Sequence, residues 1–320
     1  MLLENPIVEQ RADPFVYLHS DGYYYFTASV PAYDRIEVRR ATSLDKLATT
    51  EEIVDVWIKP ANGALSDLIW APEIHYIDGS WYIYFAAAPN REIKNNAFQH
   101  RMYALSCDDS NPITGHWNAP VQVNSGIESF CLDATSFEHL GQRYYLWAQK
   151  DPVIEGNSCL YIAAMASPTE LASAPVMLTK PELDWEIQGF LVNEGPAVLK
   201  RNGKIFVTYS ASATDERYCM GMLTIDDDAD LLDAKQWKKS LNPVFSTNYQ
   251  EGIFGPGHNS FTTNHAGTTD YMIYHARNYR HIEGDPLWDP NRHACVQAIT
   301  WDTNGYPIFS PPQKTCEYEF

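Results

Sequence analysis

A repeat of about 60 residues is the feature that most constrains the fold of this chain. Five times, a short segment that ends in a turn glycine is followed by a run of aromatic and β-branched residues. The five glycines lie 57, 62, 62 and 64 residues apart and are Gly22, Gly79, Gly141, Gly203 and Gly267. Each copy predicts a two-stranded hairpin, because such runs between turn residues form β-strands. A regular step of this length is typical of a repeat architecture.

Each hairpin is followed, at a similar interval, by a candidate for a third strand. These candidates span residues 35–41, 101–107, 159–165 and 219–225. A turn-rich segment then leaves room for a fourth strand, which completes one blade of a β-propeller. Helical periodicity is poor throughout. The sequence therefore predicts an all-β protein, a five-bladed β-propeller with roughly 57–64 residues per blade, as one domain over residues 1–320 with its site at the central axis.

The residues at the head of the repeats are candidates for a functional site. In chain order they are Asp13, Trp70, Asp133, Glu194 and His258. If equivalent strand starts converge on the axis, three carboxylates, a tryptophan and a histidine meet in one pocket. Like charges in a confined site raise one another's pKa and destabilise a fold unless they have a use. One such aspartate could merely open a turn, but three at matching positions indicate a site.

Two carboxyl groups in unlike environments are what hydrolysis of a glycosidic bond requires. Glu194 has the longer side chain and suits the acid that protonates the leaving oxygen. Asp13 suits the base that activates water, and Asp133 would orient the acid and hold its pKa up. Trp70 could be core packing or the stacking wall of a sugar site. His258 could be an ordinary buried histidine or a central residue of the site.

The charge, the hydropathy and the cysteines of the chain restrict the binding partners and the cellular location that we expect. The formal net charge of −18 disfavours nucleic acid, because an acidic surface repels phosphate. No stretch approaches the ~18 apolar residues of a membrane span. The N-terminal residues MLLENPIVEQ lack the basic and apolar regions of a signal peptide, and the six cysteines form no CxxC pair. These features favour a cytoplasmic location unless a native N-terminus was trimmed, and they leave the oligomeric state open.

Five blocks of the sequence resemble, in order and spacing, the signature blocks of glycoside hydrolase family 43. The blocks are RADPFV, WAPEIHYIDGSWYIYFAA, LDATSF, NEGPAVLKRNGKIFVTYSAS and GPGHNS. The resemblance covers essentially the whole chain. It implies a five-bladed propeller and an inverting hydrolase of furanosidic or xylosidic linkages. It also implies that Asp13 is the general base, Glu194 the general acid and Asp133 the modulator of the acid's pKa.

The same resemblance implies a metal ion and residues that bind the sugar. His258 resembles the histidine that lies near a central calcium or sodium ion, in contact with it directly or through water. Since the sequence shows no carboxylate cage, we expect a mostly water-coordinated Ca²⁺ or Na⁺ with a structural role. Arg292 resembles the arginine that holds sugar hydroxyls, although a lone arginine is otherwise a surface residue. Trp70 is the second candidate for substrate binding.

Residues 23–41 look most like exo-acting α-L-arabinofuranosidases that trim α-1,5-linked arabino-oligosaccharides, so a small arabino-oligosaccharide is the expected partner. A β-xylosidase or an endo-arabinanase of the same fold stays open. Loops 89–100 and 278–293 decide between a closed pocket and an open groove. Retaining sucrose- and fructan-cleaving propellers are less favoured, because Asp13 lies in RADPFV rather than in an NDPNG-like block. A sugar-binding propeller would need no axial set of three acids.

Overall fold

Five antiparallel β-sheets follow one another along the chain in this computed structural model, which describes residues 1–319. A short strand, Leu2–Glu4 (β1), precedes them. Blade 1 contains Ala12–Leu18 (β2), Tyr24–Ser29 (β3), Arg35–Ala41 (β4) and Ile53–Ile58 (β5). Blade 2 contains Asp67–Ile77 (β6), Ser80–Ala88 (β7), Arg101–Cys107 (β8) and Val121–Gln122 (β9).

The other three blades repeat this meander. Blade 3 contains Cys131–His139 (β10), Gln142–Gln149 (β11), Cys159–Ser167 (β12), Glu170–Leu171 (β13) and Val176–Thr179 (β14), with the last two both paired to β12. Blade 4 contains Asn193–Arg201 (β15), Lys204–Ala211 (β16), Cys219–Asp226 (β17) and Lys238–Lys239 (β18). Blade 5 contains Phe254–Thr263 (β19), Asp270–Arg277 (β20), His293–Trp301 (β21) and Pro307–Ile308 (β22). The final strand is Thr315–Glu317 (β23).

The predicted all-β, five-bladed architecture is confirmed. Four of the third strands, β4, β8, β12 and β17, coincide with the predicted candidates to within two residues. Within residues 1–319 the helical segments are two short 3-10 helices, Leu44–Lys46 and Ala234–Gln236. No helix in this part of the chain has the length and apolar character needed to cross a membrane. The first strands of the blades contact one another in a closed cycle, β2–β6–β10–β15–β19, and so surround the axis.

Blade 5 is completed by its own four strands, and the two chain ends close the ring around it. Strand β1 pairs antiparallel with β23, and Val8 forms an isolated bridge with Ala294 on β21. The Asn5 side chain accepts a hydrogen bond from the Val296 N–H and donates one to the Val296 carbonyl. These contacts join residues almost 300 positions apart, so the ring is held by ordinary backbone pairing.

Apolar side chains fill the interfaces between neighbouring blades. Four hydrophobic clusters span blades 1 and 2, blades 2 to 4, blades 4 and 5, and blades 5 and 1. Trp81 of blade 2 and Trp147 of blade 3 are fully buried in them. Each blade thus packs only on its neighbours, which lets a long chain avoid the size limit of a single core.

A β-bulge recurs at the same place in all five innermost strands. In each hairpin, two residues of the first strand face one residue of the second, as Asp13 and Pro14 face Ala28 between the pairs Ala12/Ser29 and Phe15/Thr27 in blade 1. One residue in every bulge has a left-handed backbone, with φ between 44° and 56°, and these five residues are Asp13, Ala71, Asp133, Gly195 and His258. Bulges commonly re-aim side chains beside active sites. The sequence repeat of about 60 residues therefore places one such bulge in the first strand of every blade, around the axis.

The bulge register divides the five predicted heads into two groups. Asp13, Asp133 and His258 occupy the left-handed position itself, whereas Trp70 and Glu194 lie one residue before it. The prediction that the five residues occupy equivalent positions in their strands is therefore accurate to within one residue. A left-handed conformation costs a residue other than glycine about 1–2 kcal/mol, so three of the heads are held there by their surroundings.

Hydrogen bonds from the preceding blade hold four of these bulges. The Asp13 N–H donates to His275 Nδ1 at 3.0 Å, and the Ala71 N–H donates to Ser29 Oγ at 2.8 Å. The Gly195 N–H donates to Asp133 Oδ2 at 3.2 Å. The fourth bond joins the His258 N–H to Ser210 Oγ at 2.7 Å. Each of these four bulges is therefore fixed by a polar side chain of the neighbouring blade.

Candidate active site

One pocket at the axis contains all the residues that the sequence singled out. Its volume is about 260 Å³, and its lining includes Asp13, Trp70, Asp133, Glu194, His258 and Arg292. All but Glu194 are at least nine-tenths buried, and Glu194 is partly buried. The structure therefore brings the six predicted residues together, although they come from all five blades.

Asp13 lies at the centre of a polar network. Ser29 Oγ donates a hydrogen bond to Asp13 Oδ2 at 2.6 Å, and Arg292 donates one to Asp13 Oδ1 at 3.3 Å. Nδ1 of His258 and Nδ1 of His275 both lie 3.3 Å from Asp13 Oδ1. The carboxyl group thus accepts hydrogen bonds from Ser29 and Arg292 and has two imidazole rings beside it in a buried pocket.

These neighbours keep Asp13 ionised. Burial alone would raise the pKa of Asp13, but the charges of His258 and Arg292 and the contact with His275 hold that pKa well below its usual value. Burial also lowers the pKa of His258, so the permanent cation beside Asp13 at neutral pH is Arg292. An ionised carboxylate that accepts hydrogen bonds is the form that a general base requires.

Glu194 is in the opposite state. Burial raises the pKa of Glu194 to about 7, against a hydrogen bond from Tyr218 that lowers it, and the charge of Asp13 raises it further. The Tyr218 hydroxyl donates to Glu194 Oε1 at 2.8 Å. A carboxyl group that keeps its proton near neutral pH can serve as a general acid.

Asp133 is electrostatically coupled to Glu194. Burial raises the pKa of Asp133 well above its usual value, and the charges of Glu194 and Asp13 add to the effect. Asp133 Oδ2 accepts the N–H of Gly195, the residue directly after Glu194, at 3.2 Å. The Asp133 carboxylate thus contacts the backbone that carries Glu194, and the two groups titrate as a pair.

Gly195 allows His258 to approach this pair. A Cβ atom on Gly195 would lie 3.0 Å from His258 Cγ and 3.1 Å from Nδ1, and the backbone φ of Gly195 is +56°. A side chain here would be strained and would push on the imidazole. His258 Nδ1 lies 3.7 Å from Asp133 Oδ2 as well as 3.3 Å from Asp13 Oδ1. The histidine therefore bridges the two aspartates.

Trp70 is packed against other aromatic side chains and also lines the pocket, and its role in substrate binding stays a prediction. Its ring stacks on His100 with centroids 4.0 Å apart and meets Phe98 edge-on at 5.5 Å. Trp70 is 8% exposed and lines the pocket together with Phe98 and Phe130. These rings form an apolar wall, and sugar-binding sites commonly combine such walls with a few polar groups.

Arg292 is not a surface residue. It is 6% exposed and donates from its two terminal nitrogens to Asp13 Oδ1 and to the Tyr33 hydroxyl, the latter at 2.9 Å. Tyr33 in turn donates to the carbonyl of Leu287 at 2.6 Å. The arginine therefore joins the carboxylate to a rim loop, which fixes its position in the pocket.

The donor set does not by itself form a metal centre. Among residues 1–319, no three His, Cys, Asp or Glu side chains are arranged so that they could hold a metal ion. Nδ1 of His258 is occupied by the two aspartates. An ion held here would have His258 as its one candidate side-chain ligand, so we assign it no step in the chemistry. The expected Ca²⁺ or Na⁺ stays a prediction.

Sequence reasoning missed several residues that organise the site, most of them on the second strand of a blade. Ser29, Ser210 and His275 lie opposite the residue that precedes a bulge, in blades 1, 4 and 5. These polar residues occupy equivalent positions in second strands that are otherwise largely apolar, and this pattern could have identified them from the sequence. Tyr218 lies just before β17, outside the repeated positions, and carried no such signal.

An axial pocket in which one carboxyl group has a lowered pKa and a second has a raised pKa is the arrangement that hydrolysis of a glycosidic bond uses. Residues 3–307 match the family described as Glycosyl hydrolases family 43. The chain belongs to this family.

Named relatives agree with this placement. The chain is 50% identical over 308 residues to the "Extracellular exo-alpha-(1->5)-L-arabinofuranosidase" of Streptomyces avermitilis, which covers 96% of this chain and 63% of the relative. It is 48% identical over 283 residues to the protein of the same name from Streptomyces chartreusis, over 88% of this chain and 85% of the relative. This chain therefore spans less than two thirds of the S. avermitilis protein.

A solved structure extends the likeness to three dimensions. The crystal structure of an alpha-L-arabinofuranosidase from Lactobacillus brevis has a TM-score of 0.95 and 56% sequence identity to this chain. The match covers 97% of both chains. The arrangement of blades is thus shared over nearly the full length of both proteins.

The predicted cytoplasmic location is wrong. Both Streptomyces relatives carry names that describe them as extracellular. All six cysteines are buried and free in the structure. A buried free cysteine behaves as a small apolar residue, so the absence of disulfides says nothing about compartment. The ten N-terminal residues were no better guide.

Proposed function

We propose that this protein is an inverting, exo-acting α-L-arabinofuranosidase that releases L-arabinofuranose from α-1,5-linked arabino-oligosaccharides. The observation that carries the proposal is the opposite ionisation of two carboxyl groups in one pocket. The pKa of Asp13 is held well below its usual value, and that of Glu194 is raised to about 7. The names of the relatives supply the sugar and the linkage.

The proposed reaction uses the two carboxyl groups on opposite sides of the scissile bond. Asp13 accepts a proton from a water molecule as that water attacks the anomeric carbon. Glu194 donates its proton to the glycosidic oxygen, so the leaving sugar departs as an alcohol. Attack from the face opposite the leaving group inverts the anomeric centre.

Asp133 and Arg292 support these two groups in the proposal. Asp133 holds the Glu194 backbone through the Gly195 N–H, and burial together with the charge of Glu194 raises the pKa of Asp133, so the two carboxyl groups titrate as a pair. Arg292 stabilises the Asp13 carboxylate and lines the pocket within reach of a bound sugar. Trp70 supplies an apolar wall for the sugar ring.

Contacts between rim loops support exo action. Loops 89–100 and 278–293 both line the pocket. The Arg91 guanidinium lies over the Trp288 ring at 4.6 Å, and Arg91 also pairs with Asp67 at 3.1 Å. This contact joins the two loops across blade 1. A pocket that is closed on the side of these two loops can bind only the end of a substrate chain. An endo-acting enzyme instead needs a groove that is open at both ends.

The opposite side of the rim suits the leaving sugar. Phe190, which is 52% exposed and lines the pocket, lies four residues before Glu194. The leaving group lies on the side of the acid, so the ring of Phe190 offers it an apolar face. We further propose that residues 1–320 form a single catalytic domain and that any axial ion is structural.

The test is product analysis after separate incubation with α-1,5-L-arabinotriose and β-1,4-D-xylotriose. Stepwise release of arabinose from the first substrate alone is the expected result. Release of xylose would overturn the proposed sugar and leave the two-carboxyl mechanism in place. A mixture of longer oligosaccharides as the first products of an α-1,5-arabinan, with no monosaccharide, would overturn exo action.

A further inference from the structure

Tyr218 is a buried residue outside the pocket that contacts the proposed acid. Its hydroxyl donates to Glu194 Oε1 at 2.8 Å, and the residue is 1% exposed. It precedes β17 of blade 4 and does not line the pocket. Any effect of Tyr218 on a bound sugar must therefore pass through Glu194.

The ring of Tyr218 rests on a second residue that contacts the proposed base. It stacks on His275 with centroids 5.5 Å apart and an angle of 9° between the planes. Nδ1 of His275 accepts the Asp13 N–H at 3.0 Å. Burial lowers the pKa of His275 to about 3, so the imidazole is neutral. A rigid pair of stacked rings thus links the acid of blade 4 to the base of blade 1.

The packing leaves Tyr218 little freedom to move. Gly257, the residue before the bulge of blade 5, faces it, and a Cβ atom there would lie 2.6 Å from Tyr218 Cε1. Its other contact, His275, is fully buried. The hydroxyl is consequently fixed on the carboxyl group of Glu194 rather than sampling alternatives.

We propose that Tyr218 is a positioning residue for the acid, which fixes the Glu194 carboxyl group through its hydroxyl and sets the pH range in which that group is protonated. This inference rests on the proposed function of Glu194. It deepens that proposal, because it assigns a residue outside the pocket to the placement of the Glu194 carboxyl group.

The direction of the effect follows from the groups that face Glu194. Burial and the charge of Asp13 raise its pKa, whereas the Tyr218 hydrogen bond and Arg292 lower it. Asp133 is the remaining titratable neighbour, and its ionisation is coupled to that of Glu194. Removal of the hydroxyl leaves the raising influences in place. The pKa of Glu194 must then rise, and the basic limb of the pH profile must move to higher pH.

Tyr218→Phe tests the proposal, because it removes the hydroxyl and keeps the stack on His275. Tyr274→Phe is the matched control, since the Tyr274 hydroxyl is buried and has no hydrogen-bond partner within residues 1–319. The measurement is kcat/KM against pH on α-1,5-arabinotriose and on an aryl α-L-arabinofuranoside whose leaving group departs without protonation. Melting temperatures confirm that both variants fold.

We expect the basic limb of the Tyr218→Phe variant on arabinotriose to move up by roughly one pH unit, with a severalfold lower kcat. The aryl substrate should be cleaved at close to the native rate, and Tyr274→Phe should match the native protein on both. An unmoved limb, or an equal loss on both substrates, would overturn the role of Tyr218. Glu194→Gln in the same assay separates the two proposals: if it fails to distinguish the substrates, the assignment of Glu194 itself falls.

Discussion

Replacement of Glu194 by glutamine tests the assignment of the acid with the smallest change in shape. Glutamine has no proton to give to the glycosidic oxygen, but its amide oxygen can still accept the hydrogen bond from Tyr218, which is 2.8 Å long in the native protein. General acid catalysis contributes about 10²–10⁴-fold in rate. At 1.36 kcal/mol per tenfold, this is about 3–5 kcal/mol of transition-state stabilisation. We expect a loss of this size in kcat/KM on α-1,5-arabinotriose.

The pH profile supplies a second magnitude. With the pKa of Glu194 raised to about 7 by burial, the protonated fraction falls from about nine tenths at pH 6 to about one tenth at pH 8. The native kcat/KM on arabinotriose should therefore fall about tenfold over this interval, since that parameter reports the free enzyme. The glutamine variant has no such group and should show no basic limb from it.

An aryl α-L-arabinofuranoside with a leaving group that needs no proton is the control substrate. The glutamine variant should cleave it at a rate close to that of the native protein. Equal losses on the two substrates would show that Glu194 does not act as the acid. A basic limb that persists unchanged in the variant would assign the limb near pH 7 to another group.

Three further substitutions probe the rest of the site. Asp13→Asn should reduce kcat on both kinds of substrate by about 10²–10⁴-fold, because every substrate needs the activated water; a loss confined to the natural linkage would contradict this. Asp133→Asn should lower the rate, because Asp133 accepts the Gly195 N–H and so holds the backbone of the acid, and it should reduce the basic limb to the ionisation of a single group, because the native pair titrates together; an unchanged profile would leave Asp133 a structural residue. Gly195→Ala should lower the free energy of unfolding by the about 1–2 kcal/mol that an alanine costs in the left-handed conformation. The cost of moving His258 should lower it further. Gly267→Ala is its control, with φ +67° and nothing within 4 Å; equal falls in melting temperature for the two would refute the contact with His258.

The repeat made the fold predictable from the sequence. Five turn glycines at near-equal steps specify five hairpins, and hairpins of one length that recur around a shared axis must bring their first strands together. The residues at those strand starts then had to converge, whatever their identity. This is why Asp13, Trp70, Asp133, Glu194 and His258 could be placed in one pocket before any coordinates were known.

The detail of the convergence could not be read in the same way. A bulge shifts the register of the first strand by one residue. Whether the residue at the start of a repeat lies in the left-handed position or one residue before it therefore depends on how the first strand pairs with the second. Glu194 and Trp70 precede the bulge, whereas Asp13 occupies it. Tyr218 reaches the acid from the connection between the second and third strands of blade 4, and the sequences of these connections do not repeat from blade to blade. Contacts of this kind arise from tertiary packing and leave no periodic trace.

The rim was the other part beyond reach of the sequence. Loops 89–100 and 278–293 are aperiodic, and their contact through Arg91 and Trp288 depends on the paths that both take over blade 1. The compartment was misjudged for a different reason: buried cysteines are insensitive to their redox environment. The sequence repeat thus predicts the propeller, whereas the irregular loops determine how a substrate reaches the pocket.

The stereochemistry of the first product tests the central claim most directly. Early in the hydrolysis of α-1,5-L-arabinotriose, before mutarotation, proton NMR distinguishes the two anomers of the released arabinofuranose. Attack by water activated at Asp13, with Glu194 as the acid, predicts that β-L-arabinofuranose appears first. Initial appearance of the α anomer would show retention, and the roles assigned to Asp13 and Glu194 would have to be abandoned.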